Sequence, residues 1–168
     1  MYDEIFNQND MISLQNILRK QNQTITTAES CTGGGLGSLL SELSGSSKIL
    51  MGGFVVYSND SKNKLLDVKT DTLLKHGAVS KKTALEMAKN CKNRLETDIA
   101  ISITGIAGPN GGTEAKPVGT VWIGVADESG TYAKKFVFLK NREANRELSK
   151  YTALSLIYRK LKYNIEIE

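Results

Sequence analysis

The stretch TITTAESCTGGG, residues 24–35, predicts the turn around which the fold is organised. Its first half is β-branched, which favours a strand, and the leucines that follow it recur at helical spacing. We therefore predict a strand-to-helix turn that carries Ser30, Cys31 and three glycines. Free backbone N–H groups and the positive end of the dipole at a helix start favour an anion. A glycine-rich turn that serves backbone geometry alone is the alternative at this point.

Apolar segments that favour strands alternate with amphipathic segments that favour helices along most of the chain. Further strands are predicted at 49–57, 98–103, 118–126 and 131–139, the first buried on both faces and the last two forming an antiparallel hairpin. Helices are predicted at 10–20, 35–43, 71–74, 80–95 and 142–163, with Asp10 capping the first and Ile12 on its apolar face. This order predicts a three-layer α/β/α sandwich with a mixed, mostly parallel sheet, in one domain over residues 1–168.

Composition limits the partners of the chain. The net charge of +4, from 22 basic and 18 acidic residues, is scattered, which argues against nucleic acid and is compatible with an anionic small molecule. Two cysteines are too few for a zinc cluster or a disulfide scaffold, so we expect no metal, no cofactor and a reducing cytoplasmic location. No apolar run reaches the roughly 18 residues of a membrane span, and we expect neither a membrane partner nor a leader.

Three predicted strands end in side chains that carry chemistry. Ser30 follows the first strand, Tyr57 and Lys62 follow the second, and Thr104 follows the third. If these strands are parallel neighbours, the groups face one cleft, because ligands bind beyond the carboxyl ends of strands in open α/β sheets. A serine hydroxyl needs a base, and the single histidine, His76, lies at a predicted helix end. A serine–lysine pair with a phenolic relay is therefore possible, and exposed polar strand ends are the alternative.

Other residues compete for roles at this cleft. Cys31 is a candidate nucleophile because a helix N-terminus lowers a thiol pKa, but it is more typical of a small buried apolar residue. Glu29 is more typical of a helix-start carboxylate than of a general acid. The loop Gly105–Gly112 lacks the Walker pattern yet suits a phosphate cradle, with Arg142 and Arg146 as nearby cations on one helix face.

Six ordered segments resemble the CinA C-terminal domain family, which also occurs alone as nicotinamide-nucleotide amidase. The segments span most of the chain, and together they are far more specific than a single glycine pattern. They are TAESCTGG (27–34), GSS (45–47), VYSNDSK (56–62), HGAVS (76–80), TGIAGPNGG (104–112) and KPVGTVW (116–122).

The resemblance implies an amidase that converts nicotinamide mononucleotide to nicotinate mononucleotide and ammonia in pyridine-nucleotide recycling, within an α/β/α domain that associates with itself. It implies Ser30 as nucleophile, Lys62 as general base and Tyr57 as the residue that relays or orients the proton. We place the oxyanion hole at backbone N–H groups of residues 31–34, with Gly33 and Gly34 the best suited and Cys31 and Thr32 beside them.

The resemblance also implies a nucleotide site across the cleft. Thr104, Gly105 and Gly108 would line the nucleotide, Arg142 would lie near its phosphate, and Glu29 is a candidate neighbour of the cationic nicotinamide ring.

Two departures from the family pattern keep other functions open. Lys140-Asn141 stands where the family commonly has Gly-Asp before the arginine. The larger family member carries an N-terminal domain resembling molybdopterin-binding proteins, and here we expect a stand-alone domain. The alternatives are a non-catalytic nucleotide-binding accessory of competence or DNA damage and, on positive charge alone, a nucleic-acid binder.

Overall fold

One five-stranded sheet between two layers of helices makes up the computed structural model, which describes residues 4–167. The predicted domain limits at residues 1 and 168 lie outside that range. A single 3-10 turn, Ser46–Lys48, precedes the second strand. The other elements, in chain order, are α1 (Gln8–Lys20), β1 (Ile25–Glu29), α2 (Gly35–Ser41), β2 (Leu50–Val55), α3 (Asn59–Leu66), α4 (Thr70–His76), α5 (Lys81–Leu95), β3 (Ile99–Gly105), β4 (Thr120–Asp127), β5 (Gly130–Val137) and α6 (Arg142–Tyr163).

The strand order is β2-β1-β3-β4-β5. β1 pairs in parallel with β2 and β3, whereas β4 runs antiparallel to both β3 and β5. Four of the five strands therefore point the same way, and the prediction of a mixed, mostly parallel sheet is confirmed. The carboxyl ends of β1, β2 and β3 meet at one edge of the sheet, where the predicted site residues follow.

Alternate residues of the central strands face the two helical layers. In β3, Ile99, Ile101 and Ile103 enter the larger apolar core with residues of α1, α2 and α6. Ala100 faces the smaller core with residues of α3 and α5. Both faces are covered by helices, as the predicted three-layer sandwich requires.

Helix α5 packs unusually close to the sheet because small residues line the face beneath it. Ser102 Oγ donates a hydrogen bond of 2.7 Å to the carbonyl of Ala84. A Cβ atom at Gly124 would lie 2.6 Å from that same carbonyl oxygen, so the backbones meet without an intervening side chain. This close contact fixes α5 directly against β3 and β4.

Three local predictions are wrong. β2 is not buried on both faces: it is an edge strand whose residues alternate between partial burial and exposure, and Val55 is 50% exposed. Helix α1 is capped by Asn7, and Asp10 instead completes a capping box by accepting from the Asn7 N–H. Ile12, predicted on the apolar face, faces solvent and is 43% exposed, because the buried face of α1 is formed by Met11, Leu14 and Leu18.

The described residues contain no helix that is both long and apolar enough to cross a bilayer. Within the same range, no group of three histidine, cysteine, aspartate or glutamate side chains is arranged to hold a metal ion.

Candidate active site

Ser30 and Lys62 meet at the carboxyl edge of the sheet. Ser30 directly follows β1, and Lys62 lies in α3, which follows the neighbouring parallel strand β2. The Lys62 ammonium nitrogen, Nζ, donates to Ser30 Oγ over 2.9 Å. Ser30 is 7% exposed and Lys62 only 1%, so the pair is almost entirely removed from bulk water. A capping box between Ser58 and Ser61 fixes the start of α3 and thereby the direction of the lysine.

The partners of the Lys62 ammonium are all neutral oxygens. Besides Ser30 Oγ, Nζ donates to the carbonyls of Val56, at 2.8 Å, and Tyr57, at 3.2 Å. Burial lowers the pKa of Lys62 from its ordinary 10.5 to about 8, because desolvation disfavours the ammonium form. Lys62 is thus partly neutral near physiological pH and able to accept a proton from Ser30.

Tyr57 contacts this pair through its backbone. Its side chain is 59% exposed, and its hydroxyl accepts a hydrogen bond of 3.1 Å from Arg142 Nη2. The described hydrogen bonds thus join the phenol to Arg142 and not to Lys62 or Ser30. The predicted phenolic relay has no direct contact in this arrangement, because only the carbonyl of Tyr57 reaches the ammonium.

A cavity of about 260 Å³ opens above the serine–lysine pair. It is lined by Ser30 and Cys31 after β1, by Tyr57 after β2, by residues 104–108 at the end of β3 and just after it, and by Arg142 from α6. The structure therefore brings the side chains from three strand ends to one cavity. Residues that the sequence reasoning did not select, including Ala78, Val79 and Asn110, complete the wall.

The end of β3 and the loop after it form the next part of the wall. Thr104 Oγ1 donates to the carbonyl of Ala78 over 2.8 Å, which ties the end of β3 to the segment between α4 and α5. Gly108 has a φ of +92°, and a Cβ there would lie 2.5 Å from Val118 Cγ1. A Cβ at Gly105 would lie 2.9 Å from the Thr120 carbonyl oxygen. Only glycine fits these two positions.

Helix α6 anchors this loop. Arg142 Nη1 donates to the carbonyl of Gly108 over 2.8 Å, and the fully buried Asn145 donates to the carbonyl of Ala107 over 3.0 Å. Asn141, at the departure from the family's Gly-Asp, caps α6 by accepting from the Ala144 N–H. The role of Asn145 was missed, because a lone asparagine inside a helical pattern gives no indication of a partner 38 residues away.

Glu29 does not lie at the cavity. Its carboxylate, 1% exposed, accepts from the N–H groups of Gly34 at 3.1 Å, Leu36 at 2.9 Å and Gly37 at 2.8 Å. It therefore satisfies the free donors at the start of α2 and lines a separate groove between α2 and β2. The expectation of a helix-start carboxylate matches this geometry, whereas a position beside a nicotinamide ring does not.

The glycines preferred for the oxyanion hole have N–H groups that are already engaged. The Gly34 N–H donates to Glu29, and the Gly33 N–H donates to the carbonyl of Ser30 over 3.1 Å. Neither donor is available to a substrate oxygen in this arrangement. The N–H groups of Cys31 and Thr32 are the remaining donors of the turn.

Arg146 fastens the other side of this turn, a contact that the sequence reasoning missed. Its Nε donates to the carbonyl of Cys31 over 3.1 Å, and its Nη2 donates to the carbonyl of Thr32 over 3.0 Å. The helical spacing from Arg142 had indicated a shared face but not a backbone partner.

Cys31 and His76 contribute little to the reacting groups. Cys31 is 6% exposed, and burial raises the pKa of its thiol to about 11, so it is a neutral thiol at physiological pH. His76 is exposed at the end of α4, where its carbonyl accepts from Lys116 Nζ over 2.9 Å. Ser30 is therefore the better placed nucleophile and Lys62 the better placed base.

Known proteins are similar to this chain along nearly its whole length. Residues 9–161 match the family model described as CinA C-terminal domain. A CinA-like protein of Amoebophilus asiaticus is 45% identical over 148 residues, covering 88% of this chain. One from Trichormus variabilis is 50% identical over 148 residues, covering 86%. The chain spans about a third of the length of these relatives, 36% in both.

Solved structures share the fold. A competence-damaged protein (CinA) superfamily protein from Escherichia coli superposes with a TM-score of 0.86 at 35% identity, over 92% of this chain and 89% of that one. The competence/damage inducible protein CihA from Agrobacterium tumefaciens gives a TM-score of 0.82 at 38% identity, over 88% and 93%. Together with the family match, these similarities show that the chain belongs to the CinA C-terminal domain family.

Proposed function

We propose that this domain hydrolyses the carboxamide of nicotinamide mononucleotide, releasing ammonia and nicotinate mononucleotide. The observation that carries the proposal is the 2.9 Å contact between Lys62 Nζ and Ser30 Oγ at the base of the cavity. A lysine with a pKa of about 8 supplies the base that a serine nucleophile needs. The resemblance to stand-alone nicotinamide-nucleotide amidases supports the choice of substrate.

The first half of the reaction forms an acyl-enzyme. Neutral Lys62 takes the Ser30 proton while Oγ bonds to the carboxamide carbon, and the carbonyl electron pair moves to oxygen. Backbone N–H groups of Cys31 and Thr32 stabilise this oxyanion. The Lys62 ammonium then protonates the departing nitrogen, the C–N bond breaks, and ammonia leaves a Ser30 ester.

The second half releases the acid. Neutral Lys62 now takes a proton from water, which adds to the ester carbon. The second tetrahedral intermediate collapses by breaking the bond to Ser30 Oγ, which recovers its proton from Lys62. The products are nicotinate mononucleotide and the original enzyme.

The charges at the cavity suit a phosphorylated substrate. Arg142 is cationic and lines it together with the glycine loop after β3. Arg142 lies at the wall, where its bond to the Tyr57 hydroxyl can be exchanged for one to a phosphate oxygen. Since Glu29 faces the other groove, Tyr57 supplies the aromatic ring for the cationic nicotinamide.

The test is incubation of the purified protein with nicotinamide mononucleotide. Ammonia is measured by a coupled dehydrogenase assay, and the acid product by chromatography. Ser30→Ala removes the nucleophile and should lower kcat by about 10³-fold or more, whereas the exposed Ser44→Ala serves as the matched control. Ammonia release by the wild type no faster than by Ser30→Ala would rule the reaction out.

The alternative is a nucleotide-binding accessory without turnover. Calorimetry would then show binding of the mononucleotide, equal affinity in Ser30→Ala, and no ammonia. Self-association and a cytoplasmic location remain part of the proposal, and light scattering of the purified protein tests the first.

A further inference from the structure

Arg146 makes two hydrogen bonds to the backbone immediately after the proposed nucleophile. It lies on the second turn of α6, and its guanidinium donates to two successive carbonyls, those of Cys31 and Thr32, at 3.1 and 3.0 Å. The side chain is partly buried, so water competes only weakly for these carbonyls. The guanidinium therefore binds two consecutive peptide carbonyls in a bidentate manner.

Because a peptide group is planar, fixing the direction of a carbonyl also fixes the direction of the N–H group in the same peptide. In a planar trans peptide the C=O of one residue and the N–H of the next point in opposite directions. Holding the Cys31 carbonyl toward α6 therefore points the Thr32 N–H away from α6. In the same way, the bond from the Gly33 N–H to the Ser30 carbonyl sets the direction of the Cys31 N–H. The directions of both remaining donors are fixed by neighbours that do not touch the cavity.

A cation on the carbonyl side also strengthens these donors. A guanidinium polarises the peptide groups whose oxygens it binds, and hydrogen bonds in such chains reinforce one another. Preorganised backbone donors are worth most where negative charge develops in the transition state. Arg146, which binds the backbone of the turn after Ser30, thus has a role distinct from that of Arg142, which binds Gly108 and Tyr57 at the cavity wall.

We infer that Arg146 is a positioning residue for an oxyanion hole at Ser30: it orients and polarises the Thr32 N–H group directly, and it holds the Cys31 N–H group indirectly, through the Gly33 N–H that bonds to the Ser30 carbonyl. The inference rests on the proposed amidase function. It assigns Arg146 no contact with the substrate, so its effect falls on the transition state and not on substrate binding.

The kinetic test compares Arg146→Ala, Arg146→Lys and Arg142→Ala on nicotinamide mononucleotide. Arg146→Ala should lower kcat by about 10²-fold, the cost of a modest misplacement of catalytic groups, while KM stays within about twofold. Arg146→Lys keeps the charge and one donor and should recover part of the loss. Arg142→Ala should act mainly on KM. Millimolar guanidinium ion should raise kcat of Arg146→Ala and leave its KM unchanged.

A second readout does not depend on the substrate. A fluorophosphonate labels Ser30 when Oγ bonds to phosphorus, fluoride leaves and the proton passes to Lys62; intact-mass spectrometry follows the rate. Labelling of Arg146→Ala should be at least about tenfold slower than wild type, since the phosphoryl oxygen uses the same donors. Arg146→Lys provides the comparison if the alanine variant does not fold.

The outcomes separate the two ideas. Slower labelling without amide hydrolysis by the wild type supports the role of Arg146 and refutes the substrate. Equal labelling and equal kcat in wild type and Arg146→Ala overturn the inference while the amidase stands. If the wild type is not labelled at Ser30, the assignment of Ser30 as nucleophile is refuted, and the inference about Arg146 is refuted with it.

Discussion

The lowered pKa of Lys62 makes the pH dependence of the reaction predictable. Only the neutral amine can accept the Ser30 proton, and with a pKa of about 8 roughly a tenth of the molecules carry it at pH 7. An ordinary lysine would be neutral in only about one molecule in 3,000 at that pH. The neutral fraction rises to about half at pH 8 and about nine tenths at pH 9.

The assay is kcat/KM for ammonia release between pH 6 and 10. Its logarithm should rise with unit slope, bend near pH 8 and then level off, and Lys62→Met should lose the activity. A profile that stays flat between pH 6 and 9, or an inflection near pH 8 that survives in Lys62→Met, would refute the assignment of Lys62 as base.

Stability should carry the same titration. The folded pKa of Lys62 lies below its unfolded value of 10.5, so between about pH 8 and 10.5 the unfolded chain binds more protons, and stability rises with pH. The wild type should therefore gain about 2 to 3 kcal/mol of unfolding free energy relative to Lys62→Met between pH 7 and 10. Urea unfolding of both proteins at pH 7 and pH 10 measures this change. If the difference in unfolding free energy between the wild type and Lys62→Met is the same at both pH values, the pKa of Lys62 is not lowered by burial.

Two further substitutions test the packing. Gly124→Ala should lower the unfolding free energy by about 2 kcal/mol, because the new Cβ would lie 2.6 Å from the Ala84 carbonyl oxygen. Gly37→Ala is the matched control, because its Cβ would make only ordinary van der Waals contacts. Equal melting temperatures of the two variants would disprove the close approach of α5 to β4. Thr32→Val should raise the unfolding free energy by about 1 kcal/mol, since the buried Thr32 hydroxyl has no described partner, and a lower melting temperature would reveal a missed one.

The elements with strong local patterns were predictable from the sequence. Helix α6 spans the residues expected of it, and Ser80 caps α5 as predicted. The position of a strand within the sheet was not predictable: an apolar run favours burial, but β2 lies at an edge, where one side has no partner strand. Periodicity records which residues can be buried, whereas strand order depends on the whole chain.

The candidate site also has features that could be predicted from the sequence and features that could not. Ser30 and Lys62 were placed near each other because parallel strands end at one sheet edge, an inference that needs only topology. The occupied N–H of Gly34 depends on how the Glu29 side chain folds back within the same turn, and the two hydrogen bonds of Arg146 depend on contacts across the fold. Nothing in the local pattern of a glycine turn tells which of its donors a buried carboxylate will take, and helical spacing alone did not show that Arg146 binds backbone.

The contacts of α6 bear on the order in which the molecule matures. Arg146 binds the backbone of the turn that carries Ser30 across 115 positions of chain, whereas β1 pairs with β3 across 74, from Ile25 to Ile99. Because a longer loop costs more entropy to close, we expect the Arg146 contacts to form after the strands have paired. An intermediate in which β1, β2 and β3 are assembled would already hold Ser30 close to Lys62. The N–H groups of Cys31 and Thr32 would not yet have fixed directions in it. The domain would thus acquire its structure before it acquires its reactivity.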